Sequence, residues 1–157
     1  MGRCSACGDG FERGAVTDAI SELFERAQQA RARAYAPYSH FPVGAALRAA
    51  SGAFYCGANV ENAAYPLGVC AETSAISAMI AGGDREIAEI LVLGPRRIAP
   101  CGACRQRIAE FAHGSVLVYL ADESGDCRRH ALAELLPHAF GPESLGNAPE
   151  QADDGKR

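Results

Sequence analysis

Cys70-Ala71-Glu72-Thr73-Ser74-Ala75-Ile76-Ser77-Ala78-Met79-Ile80-Ala81-Gly82-Gly83, then Ile87-Ala88-Glu89-Ile90-Leu91-Val92-Leu93, then Pro100-Cys101-Gly102-Ala103-Cys104-Arg105-Gln106: this stretch decides the fold. Its first part has a helix pattern over 70–82 and a strong stop at the glycine pair. Its middle is a short apolar run with β-branched members, which reads as a buried strand over 87–93. Its last part opens a second helix over 102–112, closed at Gly114. Pro100 suits the position just before a helix, and Gly102 permits close backbone approach to a sulfur. Cys70 and Cys101 each begin a helix in this reading. Helix N-termini carry partial positive charge and free N–H groups, and both stabilise a thiolate. Cys101 and Cys104 are three apart, so they share one face of a first turn.

Toward the N-terminus, residues 1–15 are Gly-rich and read as a flexible leader. Thr17 suits an N-cap, and Ile20, Leu23, Phe24, Ala27, Ala30 and Ala34 give an amphipathic helix over 18–35, ended by Pro37. After the loop Tyr38-Ser39-His40-Phe41-Pro42, strands are expected over 43–49 and 54–60, joined at Ser51-Gly52. A polar loop fills 61–69. Toward the C-terminus, Val116–Leu120 and Cys127–Ala131 read as strands flanking the turn Asp122–Asp126. One helical turn follows over 132–136, and a polar tail over 147–157. Helices alternating with buried strands imply an α/β layered domain over 16–146. The tight turns imply antiparallel hairpins, so the sheet should be mixed.

The 157 residues fit one domain with room for a core, and 48% hydrophobic with 22% charged residues is ordinary for a globular protein. A formal charge of −4 argues against a nucleic-acid polymer as partner, because phosphate binding relies on a basic surface. No apolar run approaches the roughly 20 residues that span a bilayer, so no membrane partner is expected. The N-terminus lacks the apolar core of a secretory signal. Seven cysteines are many for this length, but the odd number and the aliphatic core speak against a disulfide framework. In a reducing compartment they are metal ligands or buried thiols, and the expected localisation is cytoplasmic. Cys56 and Cys127 fall in strands and read as buried small hydrophobes; Cys4 and Cys7 read as free thiols of the leader.

Cys70, Cys101 and Cys104 are enough to hold one zinc ion with its fourth position left to water. Zinc lowers the pKa of such a water toward neutrality. Glu72 is not spaced as a further ligand and is free to carry a proton beside it. A structural zinc is the rival reading; it wants four protein ligands, and no further His or Cys at suitable spacing supplies one. A ligand-x-Glu element paired with a later Pro-Cys-x-x-Cys is the signature of zinc-dependent nucleobase deaminases.

With these residues in view, the chain closely resembles the small homotetrameric cytidine deaminases that act on free nucleosides. The likeness runs from about Thr17 to Leu145. It includes Tyr38-Ser-His-Phe-Pro-Val-Gly-Ala45, Asn59-Val-Glu-Asn-Ala63, Tyr65-Pro-Leu-Gly68, both cysteine motifs, and Glu134-Leu-Leu-Pro-His-Ala-Phe-Gly-Pro142. The resemblance implies a three-layer α-β-α fold with a five-stranded mixed sheet and one Zn2+ per subunit. It implies deamination of cytidine and 2′-deoxycytidine in pyrimidine salvage, by a homotetramer with sites at subunit interfaces. It maps pyrimidine stacking onto Phe41, ribose 3′-hydroxyl binding onto Asn59 and Glu61, and base contacts onto the Ala71 backbone and Glu72. Tyr65 and Phe140 map to the inter-subunit surroundings of the site, and Arg105 and Gln106 to donors behind the zinc ligands.

Thr73 is a departure, because many members carry Arg directly after Cys-Ala-Glu. Zinc with three thiolates bears one net negative charge, which that Arg offsets. The helix ends, Arg105 and the Thr73 hydroxyl are expected to compensate. Blasticidin-S deaminase shares both cysteine motifs; Asn59-Val60-Glu61-Asn62 and the Phe41 segment favour the nucleoside enzyme. The acidic balance disfavours polynucleotide editing, and the intact Glu72 disfavours a silent zinc scaffold.

Overall fold

The structure, a computed structural model, describes residues 15–146. The leader cysteines Cys4 and Cys7 and the tail past Gly146 lie outside the described residues. In chain order the elements are α1 (Ala15–Arg31), β1 (Gly44–Ala49), β2 (Phe54–Ala58), α2 (Ala71–Ala81), β3 (Ile87–Gly94), α3 (Gly102–Glu110), β4 (Leu117–Asp122), β5 (Cys127–Ala131) and α4 (Leu132–Leu135). Short 3-10 helices cover Tyr65–Leu67 and Pro142–Leu145. The five strands form one sheet in the order β2-β1-β3-β4-β5. Only the β3–β4 pair is parallel, so the sheet is mixed as the hairpins imply.

Successive strand residues point to opposite faces, and both faces are covered. Ala45, Leu47, Ile90, Val92, Val118 and Leu120 pack toward Ala75, Ile76 and Met79 of α2 and Ile108 of α3. Ala46, Leu91, Leu93, Tyr119 and Ala121 pack toward Leu23 and Ala27 of α1. The architecture is therefore α-β-α, with a core on each side of the sheet. Each fully buried aliphatic side chain contributes about 1.5–3 kcal/mol. The buried Glu89 carboxylate on β3 is matched by Arg48 of β1 at 2.7 Å, directly across the ladder.

α2 stops where the glycine pair demands it. Gly83 has φ of 96°, its N–H bonds the Ile80 carbonyl and the Asp84 N–H bonds that of Met79, a Schellman ending. Several expected boundaries move; α3 ends at Glu110 rather than residue 112, and β4 runs Leu117–Asp122 rather than 116–120. α1 is already helical at Ala15, the first described residue, so Thr17 lies inside it rather than capping it, and it ends at Arg31 rather than residue 35. Its expected last turn is lost because the Tyr35 backbone pairs with Asn59 and Glu61. β2 stops at Ala58, not Val60, because Val60 instead exchanges both backbone bonds with Val69. Cys127 is buried as expected; Cys56 is exposed, on β2, the edge strand, whose outer flank pairs with no strand among the described residues.

Register gathers the motifs. Gly44 at the start of β1 pairs with Ala58 at the end of β2 and with Leu93 near the end of β3. The Phe41 segment, the Asn59–Glu61 segment and the approach to α3 therefore leave the sheet at one end. Gly57 then lets β2 press on the first turn of α2: a Cβ there would lie 2.7 Å from the Ala71 carbonyl oxygen.

Candidate metal centre and substrate groove

Cys70 is the N-cap of α2 and Cys101 the N-cap of α3, both with extended backbone. Their carbonyls accept the first helical bonds, from Ser74 N–H at 3.1 Å and Arg105 N–H at 3.0 Å. Neither side chain caps its own helix, so both sulfurs are free to face the point where the helix ends meet. Cys104, in the first turn of α3, adds the third. The three Sγ atoms lie within 4.8 Å of one another, with Cys70 and Cys101 4.0 Å apart. A tetrahedral zinc bound through Zn–S distances of about 2.3 Å holds sulfurs at separations below this limit, so the donor set fits the ion. Cys104 is buried, whereas Cys70 and Cys101 are exposed to solvent.

The thiols divide a proton unequally. A hydrogen bond from Cys104 is the main cause that holds the Cys70 thiol down to about 6, opposed by burial; the nearby Arg107 charge also favours the thiolate. The same bond, with burial, pushes Cys104 up. Glu72, in the first turn of α2, is 4% exposed. Burial pushes its carboxyl up; its own backbone N–H and the Cys104 thiol oppose that rise. A carboxyl so placed holds and releases a proton nearer neutrality than a solvated one.

Thr73 Oγ1 stands 3.7 Å from Cys104 Sγ, the expected contact with a sulfur. Arg105 points elsewhere: its Nε donates to the Pro100 carbonyl and an Nη donates to the Leu135 carbonyl, both at 2.8 Å. It thus ties the loop before Cys101 to α4. Gln106 donates to the Phe140 carbonyl at 2.8 Å and pins the C-terminal segment to α3, with the Phe140 side chain exposed.

The groove residues are placed by long-range bonds. Asn59 Oδ1 accepts the Val43 N–H at 2.8 Å and Nδ2 donates to the Phe41 carbonyl at 3.0 Å, which sets the path of the Phe41 segment. One N–H and one lone pair of that amide remain uncommitted. His40, just before, takes a left-handed φ of 52°. The Phe41 ring packs against the core and lies 5.4 Å under the Arg96 guanidinium. Glu61 Oε2 accepts the N–H groups of Tyr38 and Ser39 at 2.9 and 3.2 Å. The Ser39 hydroxyl, then these amides, hold its carboxyl below the usual range. Tyr38, Ser39, Glu61, Asn62, Tyr65 and Gly68 line an open groove of about 360 Å³, in which the Tyr38 and Tyr65 rings meet edge-on at 5.9 Å. Tyr38 and Ser39 as groove walls, Arg96 and Arg107 were not singled out from sequence. For Arg107 a signal existed: it lies three residues past Cys104, on the same helix face.

Residues 17–120 match the family model "Cytidine and deoxycytidylate deaminase zinc-binding region". A cytidine deaminase of Sporosarcina psychrophila is 46% identical over 136 residues, covering 84% of this chain and 98% of that protein. The crystal structure of cytidine deaminase from Burkholderia pseudomallei is similar with a TM-score of 0.73 and 46% identity, over 76% of this chain and 98% of that one. That of Mycobacterium tuberculosis has a TM-score of 0.68 and 37% identity, over 78% and 97%. With three thiols close enough to hold a metal ion inside the stretch that the zinc-binding family model matches, the chain belongs to the cytidine and deoxycytidylate deaminase family.

Proposed function

We propose that the protein hydrolyses cytidine and 2′-deoxycytidine to uridine and 2′-deoxyuridine with release of ammonia, a step of pyrimidine salvage in the cytoplasm. The observation that carries the reading is Glu72, buried at the start of α2 and hydrogen-bonded with Cys104, one of three converging thiols. Zinc held by those thiols supplies a Lewis acid that acidifies water. Glu72 takes one proton of the attacking water and delivers it to the ring nitrogen, where the product keeps it. It then takes the second from the hydroxyl added at the amine-bearing carbon and gives it to the amine, which leaves as ammonia. Its carboxyl and the Ala71 backbone hold the base, and the Phe41 ring offers a face for the pyrimidine. The uncommitted N–H of Asn59 and the second oxygen of Glu61 suit the ribose 3′-hydroxyl. Thr73 steadies Cys104 through its hydroxyl, Arg105 steadies the loop before Cys101, and Gln106 holds the segment of Phe140.

The active form in this reading is a homotetramer with sites at subunit interfaces. Tyr35, Tyr38, Val60, Tyr65, Leu67 and Val69 form an exposed apolar patch around the groove, joined by the Tyr35–Val60–Val69 bridges, and Tyr65 is 75% exposed. Such a patch marks an interaction surface. Phe140, 59% exposed, suits the same interface. A clean monomer with full activity in sedimentation would end this part of the proposal.

The test is the ultraviolet absorbance change of cytidine and 2′-deoxycytidine with native protein and with Glu72→Ala. Native protein should turn over both nucleosides, and the variant should keep zinc while losing on the order of 10²–10⁴-fold in rate. A folded, zinc-loaded native protein that leaves cytidine unchanged overturns the reading.

A further inference from the structure

Three thiolates around a divalent cation leave one net negative charge, and the ionised Glu72 beside it adds another. A neighbouring cation offsets that charge and favours a stronger Lewis acid. The first turn of α2 carries no basic residue, only Glu72. Arg105 has both bonded nitrogens on backbone carbonyls.

Arg107 is differently situated. It follows Cys104 by one turn on α3, so the two share a helix face. With Thr73, Ile76, Ser77, Ile80 and Phe111 it lines an open groove of about 470 Å³ between α2 and α3. Thr73, at the head of that groove, touches Cys104. Among the described residues no carboxylate pairs with Arg107, so its charge is uncommitted.

We propose that Arg107 is the cation that compensates the thiolate charge of the zinc centre, reaching it across the α2–α3 groove over Thr73. It is a positioning residue: it touches neither substrate nor water and acts through the sulfurs. The sign follows from charge. Zinc-loaded, the thiolate cluster is net negative; with its thiols protonated it is neutral. A neighbouring cation therefore favours the loaded form. The inference rests on the zinc site alone and is indifferent to which nucleoside is turned over.

The test is the zinc dissociation constant of the full chain, read by competition with a chromophoric chelator at low and at high salt. Arg107→Gln should weaken zinc about two- to fivefold at low salt, as expected of an exposed charge. High salt should shrink that difference. Arg107→Lys should restore most of the affinity, and so should Thr73→Arg added to Arg107→Gln, because it returns a cation to the same groove. An unchanged constant for Arg107→Gln at low salt overturns the proposal. So does an equal, salt-independent loss in the Gln and Lys variants, which would assign Arg107 to packing on Phe111. If Arg107→Gln does not fold, Arg107→Met, which keeps the packed stem without the charge, takes its place: weaker zinc at low salt supports compensation by charge, and an unchanged constant overturns it.

Discussion

The thiol cradle is assembled from the first turns of α2 and α3, whereas the groove beside it is assembled from loops tied by Asn59 and Glu61. In the cradle, Cys104 and Glu72 are buried and the ligand spacing is set by helical geometry. In the groove, Tyr65 stands 75% exposed and the walls come from segments tens of residues apart. The difference teaches that the metal half of the site is set by two helix starts of one chain, while the loop-built half beside it is an open surface. The cradle should therefore respond to changes in an all-or-none way, and the groove by degrees.

The largest effect is expected at the buried ligand. Loss of a residue that merely supports a ligand costs about 10–100-fold in metal affinity, so Cys104→Ala should cost more than about 100-fold. Zinc content after dialysis against chelator checks this. Retention of zinc with near-native affinity would break the contrast at its strong end. Asn59→Ala comes next. It strands the Val43 N–H and the Phe41 carbonyl, at a cost of about 1–3 kcal/mol. The melting temperature and KM should both worsen while zinc stays bound; loss of zinc would mean that cradle and groove are one cooperative unit.

Glu61 sharpens the comparison through pH. Its carboxyl is held below its ordinary 4.5, so folded protein favours the ionised form. That contribution is fully present above about 4.5 and is lost as the pH falls through the lower folded value. Amide protection at Tyr38 and Ser39 should accordingly drop on acidification in the native chain. In Glu61→Gln it should be low throughout and flat in this range, with KM raised and zinc untouched. A native profile as flat as the variant's would remove the clamp from the account. The smallest effect is expected of Thr73→Arg on its own. Zinc should remain bound and turnover should change modestly, because Arg107 already supplies a cation. Metal analysis and kcat check this together; loss of zinc would mean that the packing around Cys104 is built on Thr.

Much of the cradle was legible because its rules are local. Cys70, Glu72, Cys101 and Cys104 announce themselves by offsets of two and three residues at two helix starts, and the structure brings the three sulfurs together. The apolar runs over 87–93 and 116–120 likewise read as strands, the first as buried, and the structure covers both faces of their sheet. The misread boundaries lie where distant backbone competes. A helix to residue 35 and a strand to residue 60 both satisfy local pattern, yet Tyr35 and Val60 spend their backbone groups on each other's surroundings. Cys56 has the apolar neighbours of a core residue and ends exposed, because edge position is a property of the sheet and not of the strand.

What the sequence by itself determined is the donor set for one zinc, three thiols at two helix starts with Glu72 beside them, and an α/β frame, since ligand type and helical or strand periodicity are written in short windows. What only the tertiary structure decided is the division of labour around that chemistry. Cys104 rather than Cys70 is buried, Asn59 stitches Phe41 to Val43, and Arg105 serves two carbonyls and leaves Arg107 facing the groove by Thr73. Each of these depends on the register of Gly44 with Ala58 and Leu93, or on how α2 and α3 lie on one face of the sheet. Such contacts join residues far apart in the chain, and no local spacing encodes them.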